Sequence, residues 1–141
     1  MKNYFPADYR VVAKLIGADF NVTTDQALPI QISDDDDVVT ADEGDFIIDR
    51  IVVRNASVDL TTAVGGVYTA AAKGGSAIVG AGQVYTALTS AVKWVDLTLA
   101  SIALTDVFNE ATHGLFLSLS TPQGAAATAD VYVYGRLFQK R

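Results

Sequence analysis

Cysteine is absent from this chain of 141 residues, and histidine, methionine and tryptophan occur once each. Without cysteine there is no disulfide framework, thiolate zinc site, thiol nucleophile or iron–sulfur cluster, and one imidazole cannot build a multi-histidine metal centre. Basic side chains are few as well, 10 against 16 acidic ones, and none cluster more densely than Lys140-Arg141. Binding to nucleic acid through its phosphates is therefore not expected. Glutamate is scarce, with Glu43 and Glu110 beside 14 aspartates. Glu and Lys are the usual fillers of exposed helix faces, so their shortage argues against a helical protein.

Valine (17) and threonine (13) are abundant instead. Both are stiff at χ1 and suit a pleated surface. The 21 alanines lie beside Gly and Thr, as in Ala70-Ala71-Ala72-Lys73-Gly74-Gly75, and show no apolar stripe at helical spacing, which marks small-residue turns. The length suits one domain with a single core. The opening MKNYFPADYR places Pro6 and Asp8 where a signal peptide needs an apolar run, so export by that route is not expected. Residues 74–92 carry no charge over 19 positions, but four glycines with Ser76, Gln83, Thr86, Thr89 and Ser90 make the stretch too polar to span lipid, and no membrane contact is expected.

Along the chain, residues 1–27 lack a strict period and contain Pro6 and Gly17. They suggest an extended N-terminal arm, with strand-like text at 10–16 and 20–22, ahead of a sandwich domain over 28–141. Residues 28–33 alternate after Pro29, and 34–45 form an acidic loop carrying Asp34, Asp35, Asp36, Asp37, Asp42, Glu43 and Asp45. Without these seven the remainder holds nine acids and ten bases, so the net charge of -6 is one loop's charge. Strand-like runs follow at 46–54, 58–64, 67–71, 77–79, 83–88, 94–99, 115–120 and 131–136, separated by turn residues. In the last three, Val95/Leu97/Leu99, Leu115/Leu117/Leu119 and Val131/Val133/Gly135 alternate with more polar neighbours and should face inward. Strands about every ten residues without a long helix predict an all-β sandwich or barrel. Val-Tyr-Thr-Ala occurs at 67–70 and again at 84–87, but its period does not recur, so a repeat architecture is not expected.

Chemistry-bearing constellations are sparse. His113 stands before the Leu115 run, where a loop is expected; Asp106 and Ser101 could complete a catalytic set only by spatial accident, and no Gly-x-Ser-x-Gly is present. The Asp34 run offers hard oxygen ligands, yet the calcium-loop template fails, since Val38 and Val39 occupy its fifth and sixth positions. A solvated acidic loop is the leading reading, with a calcium loop of other geometry and a contact with a basic partner left open. Asp96 and Asp130 are the strand-borne carboxylates that a glycosidase would need, near the lone Trp94. Gly65-Gly66 and Gly74-Gly75 have no Lys-Ser/Thr after them and are taken as hairpin glycines, not phosphate loops. Tyr132 and Tyr134 share one face of the last strand, and with Tyr4, Phe5 and Tyr9 of the arm they are the candidate interface aromatics.

The run Thr121-Pro122-Gln123-Gly124-Ala125-Ala126-Ala127-Thr128-Ala129-Asp130-Val131-Tyr132-Val133-Tyr134-Gly135, with the preceding Leu115–Ser120, resembles the closing hairpin of small virion proteins from tailed-bacteriophage structural gene clusters. Ile51-Val52-Val53-Arg54-Asn55-Ala56-Ser57 and the later Gly-Gly-Val-Tyr-Thr-Ala are similar to strand and turn text of the same proteins, so the likeness covers about residues 46–135. It implies a jelly-roll-like β-sandwich of about eight short antiparallel strands that decorates or cements a capsid, commonly as a homotrimer. It implies a virion location, the major capsid protein or other virion proteins as partners, no cofactor and no catalytic residues. The rival expectation is a carbohydrate-binding jelly roll, and a hydrolase stands third.

Overall fold

A computed structural model describes residues 8–30, 45–109 and 114–138. Its strands are β1 (Asp8–Asp19), β2 (Gln26–Ala27), β3 (Asp45–Arg54), β4 (Val64–Ala70), β5 (Gly74–Val79), β6 (Trp94–Asp96), β7 (Phe108–Asn109), β8 (Phe116–Thr121) and β9 (Thr128–Phe138). One short helix, α1 (Ser101–Thr105), lies between β6 and β7. All strand pairings are antiparallel, in one sheet ordered β1-β9-β3-β6, with β7 also on β3, and a second ordered β2-β8-β4-β5. The protein is an all-β sandwich.

The strand order has a simple origin. With the two-residue β7 set aside, first pairs with last (β1·β9), second with second-last (β2·β8), and then β3·β6 and β4·β5. A long antiparallel ribbon paired in this way and wrapped around a core deals its four rungs alternately to two sheets. That is the jelly roll.

Residues 8–27 correct the expectation of a separate arm. β1 runs beside β9 from Asp8↔Leu137 to Asp19↔Thr128, and Val12, Ala13, Ala18 and Phe20 are buried in the core. The segment lacks a strict period because register shifts between Val11 and Ala13 and between Leu15 and Ala18 change which side chains face inward. Residues 1–7 lie outside the described residues. The strand expected at 20–22 is a turn, and Ile30 makes a single bridge to Ala13.

β3 shows the same device. Phe46 and Ile48 point inward, then a bulge at Asp49-Arg50 resets the phase so that Ile51 and Val53 do. The inward faces of both sheets merge with Leu60, Ile78, Leu97 and Leu115 in one core. Within it Phe20 meets Tyr85 edge-on with ring centroids 5.0 Å apart. The Tyr85 hydroxyl donates to the Gly65 carbonyl at 2.9 Å, and burial raises the phenol above its usual range.

Gly65 and Gly66, expected in a hairpin, are instead inside β4. A Cβ on Gly65 would lie 2.3 Å from the Leu119 Cα, and one on Gly66 would lie 2.0 Å from the Val79 carbonyl oxygen. The pair lets β4 pack between β8 and β5. The β4–β5 turn falls at 71–73, where Ala72 and Lys73 adopt positive φ and the Asp25 carboxylate accepts the Ala72 N–H at 2.6 Å.

Expected strands at 58–64 and 83–88 are largely loops. The first is pinned by Gln123, whose side-chain oxygen accepts the Thr62 and Ala63 N–H groups at 3.0 and 3.1 Å and whose amide donates to the Asp59 carbonyl at 3.2 Å. A glutamine that saturates a loop's backbone groups makes strand pairing there unnecessary. The second copy of Val-Tyr-Thr-Ala lies in the other loop, so the tetrapeptide marks no structural repeat. Among the described residues no helix is long and apolar enough to cross a membrane.

Candidate functional site

The outward face of the five-stranded sheet gathers the aromatic and charged side chains that the core does not use. β-register arranges them in rows across β6, β3, β9 and β1. One row reads Trp94, Arg54, Asp130; the next reads Asp96, Val52, Tyr132, Lys14; the third reads Arg50, Tyr134, Val11. Val52 is only 7% exposed yet stands outside the core cluster, because it is covered on the outer face by its longer neighbours.

Polar contacts organise this face. Arg50 makes a two-pronged ion pair with Asp96 and stacks over Trp94, its guanidinium carbon 5.1 Å from the ring centroid. The bulge at Asp49-Arg50 turns both side chains outward, and Asp49 holds Arg136 at 3.0 and 3.1 Å. Asp130 accepts the Gly17 N–H and the Asn55 side-chain amide, each at 2.8 Å. Tyr132 and Tyr134 are stacked at a tilt, with ring centroids 6.4 Å apart. Trp94 remains 55% exposed, and Ile16, at the β1 irregularity beside Asp130, is 57% exposed.

The structure brings some of the expected residues together and separates others. Tyr132 and Tyr134 share the outer face as expected, and Tyr9 lies in β1 opposite Arg136. Tyr4, Phe5, His113 and the acidic residues Asp34, Asp35, Asp36, Asp37, Asp42 and Glu43 lie outside the described residues. Asp45 opens β3, opposite Phe138 and Asn109. Asp96 and Asp130 stand on opposite sides of β3, opposite Val52 and Arg54, which puts their Cα atoms about 12 Å apart by strand spacing. Each carboxylate already holds neighbouring donors, so the two do not converge on a glycosidic bond. Ser101 begins α1 and Asp106 follows it, both exposed. Among the described residues no group of three or more His, Cys, Asp or Glu side chains could hold a metal ion.

Lys14, Arg50, Arg54 and Val52 are members of this face that sequence reasoning missed. Arg50 had a signal: a charged Asp-Arg pair interrupting the apolar run 46–53 fits a bulge. Lys14 and Val52 had none, because their neighbours across strands are set by register alone. A shallow groove of about 450 Å³ lies elsewhere, between the loops at 80–84 and 98–100. Gln83 spans it, accepting the Thr98 N–H at 2.9 Å and donating to the Val84 carbonyl at 2.8 Å, and no titratable side chain lines it.

Compared with known protein families, curated proteins and solved structures, the chain matches none.

Proposed function

We propose that this protein is a structural component of a tailed-phage virion, a capsid decoration or cement protein that works through protein–protein contacts. In this reading it sits on the virion as a homo-oligomer bound to the major capsid protein or another virion protein, performs no reaction and uses no cofactor. The observation that carries the reading is the outer sheet face. Aromatic rings interleaved with oriented ion pairs suit recognition of a protein surface, where Trp, Tyr and Arg contribute most of the binding energy. The expectation drawn from the sequence of residues 46–135 is what points to a virion as the setting.

Cosedimentation with capsids of the encoding phage tests it. Saturable binding, weakened at least tenfold by Trp94→Ala or Tyr134→Ala with an unchanged melting temperature, is the expected result. No binding to any particle form overturns it.

One feature supports a second reading, a carbohydrate-binding jelly roll on the same face. Trp94 presents an exposed ring beside the polar Arg50–Asp96 pair, a combination that can stack on a sugar and bond its hydroxyls. A glycan array separates the two: retained glycan binding that disappears in Trp94→Ala favours the lectin reading.

A further inference from the structure

We propose that the outer face of the five-stranded sheet pairs with the same face of a second copy across a twofold axis. The axis runs parallel to the strands, midway between β3 and β9. This inference rests on the reading of the protein as one that acts by contact, and it names the partner for this face.

Strand register sets the pairing. Such an axis lays β3 of one copy over β9 of the other, and β6 over β1, while each row stays opposite itself. Asp96 then faces Lys14 of the second copy, Arg54 faces Asp130, Val52 faces Tyr132 and Arg50 faces the Tyr134 ring. Trp94 comes over the region of Ile16, so two large exposed apolar side chains cover each other. Every charged residue of the central rows meets an opposite charge or an aromatic face, and each contact occurs twice, as a self-complementary interface requires. A strand-parallel axis is also the arrangement in which two sheets stack in near alignment.

The Arg50–Asp96 ion pair does not exclude the contact between Asp96 and Lys14 of the second copy. The Asp96 carboxylate is 45% exposed and can accept more donors than Arg50 supplies, and Lys14 has no ion-pair partner among the described residues. Four strands at about 4.8 Å and three rows at about 6.8 Å give roughly 400 Å² per copy, or about 800 Å² in total, the size of a weak contact that depends on its charge pairs. Edge-to-edge pairing is the less favourable route. β1 is interrupted by two register shifts and met by Ile30 at Ala13, while β5 is met by Leu99 at Val79.

Light scattering on the full chain at micromolar concentration reads the outcome. The wild type is expected at twice the chain mass. Lys14→Glu alone and Asp96→Lys alone each place like charges together and weaken the dimer on the order of tenfold or more. An equimolar mixture of the two variants regains the dimer, because both Lys14–Asp96 sites then carry opposite charges. Should Asp96→Lys fail to fold, Lys14→Glu/Asp96→Asn replaces it and regains the pairing lost in Lys14→Glu. A monomer or trimer mass for the wild type, or a dimer indifferent to Lys14→Glu, overturns the pairing. Particle binding is measured separately, so a monomer or trimer that still binds capsids defeats only this pairing, and a dimer that binds none defeats only the virion reading.

Discussion

Tyr85 and Asp25 show how single polar groups fix this fold. The Tyr85 hydroxyl supplies a donor to Gly65 at the centre of the sandwich, so Tyr85→Phe strands a buried carbonyl and should cost about 1–2 kcal/mol by urea denaturation. Its folded-state pKa lies above the ordinary value of 10.0, so the stability it contributes is complete below about pH 10 and is lost as pH rises beyond that. Alkaline unfolding should therefore be less steep in Tyr85→Phe than in the wild type. Asp25 acts with the opposite sign. Accepting the Ala72 N–H, with smaller contributions from the Ser118 hydroxyl and Lys73, holds its carboxyl below the ordinary 3.8. Ser118 Oγ has no formed hydrogen bond, so its contribution is a dipole's. The stabilisation from Asp25 is present above about pH 4 and fades as pH falls through the lowered value. Comparing urea midpoints at neutral and acidic pH should show a smaller acid loss in Asp25→Asn, and an equal loss in both proteins counts against this role.

Among the elements, β4 tolerates little change. Gly66→Ala forces a methyl against the Val79 carbonyl and must separate β4 from β5, whereas Gly82→Ala adds a methyl that meets nothing within 4 Å. The first should lose 3 kcal/mol or more, in the range of severe core and backbone disruptions, and the second should stay within about 0.5 kcal/mol. Thermal melts of the two variants check the contrast. β3 carries the other structural decision. Its bulge aims Asp49 and Arg50 together at the outer face, where they hold Arg136 and Asp96. Without that bulge Arg50 would alternate with Ile51 in the opposite sense and enter the core.

At the scale of the molecule, the jelly roll leaves one sheet face with an aromatic and charged lattice and guards its edges with bulges and bridges. In the proposed reading this face is the contact surface. The acidity of the sequence does not describe this face. Lys14, Arg50, Arg54 and Arg136 lie among Asp49, Asp96 and Asp130, so the sheet is nearly balanced and patterned in sign. The proposed pairing with a second copy draws on that balance.

Alternation in Leu115–Leu119 and Val131–Gly135, together with abundant Val and Thr, determined strand formation and the all-β class, because side-chain period is a local property of the chain. The grouping of Tyr132 with Tyr134 was legible for the same reason. Three things only the tertiary structure decided. The bulges in β1 and β3 reset the inward phase, so 8–27 gave an arm-like pattern although it supplies β1 to one sheet, β2 to the other and side chains to the core. Gly65-Gly66 had the look of a hairpin turn, but its role is close approach to strands that arrive from 79 and 119. The rows of the outer face join Lys14 to Tyr132 and Gly17 to Asp130 across more than a hundred residues. Periodicity tells each strand which side to bury, and only the closure of the wrapped ribbon sets which strand lies beside it.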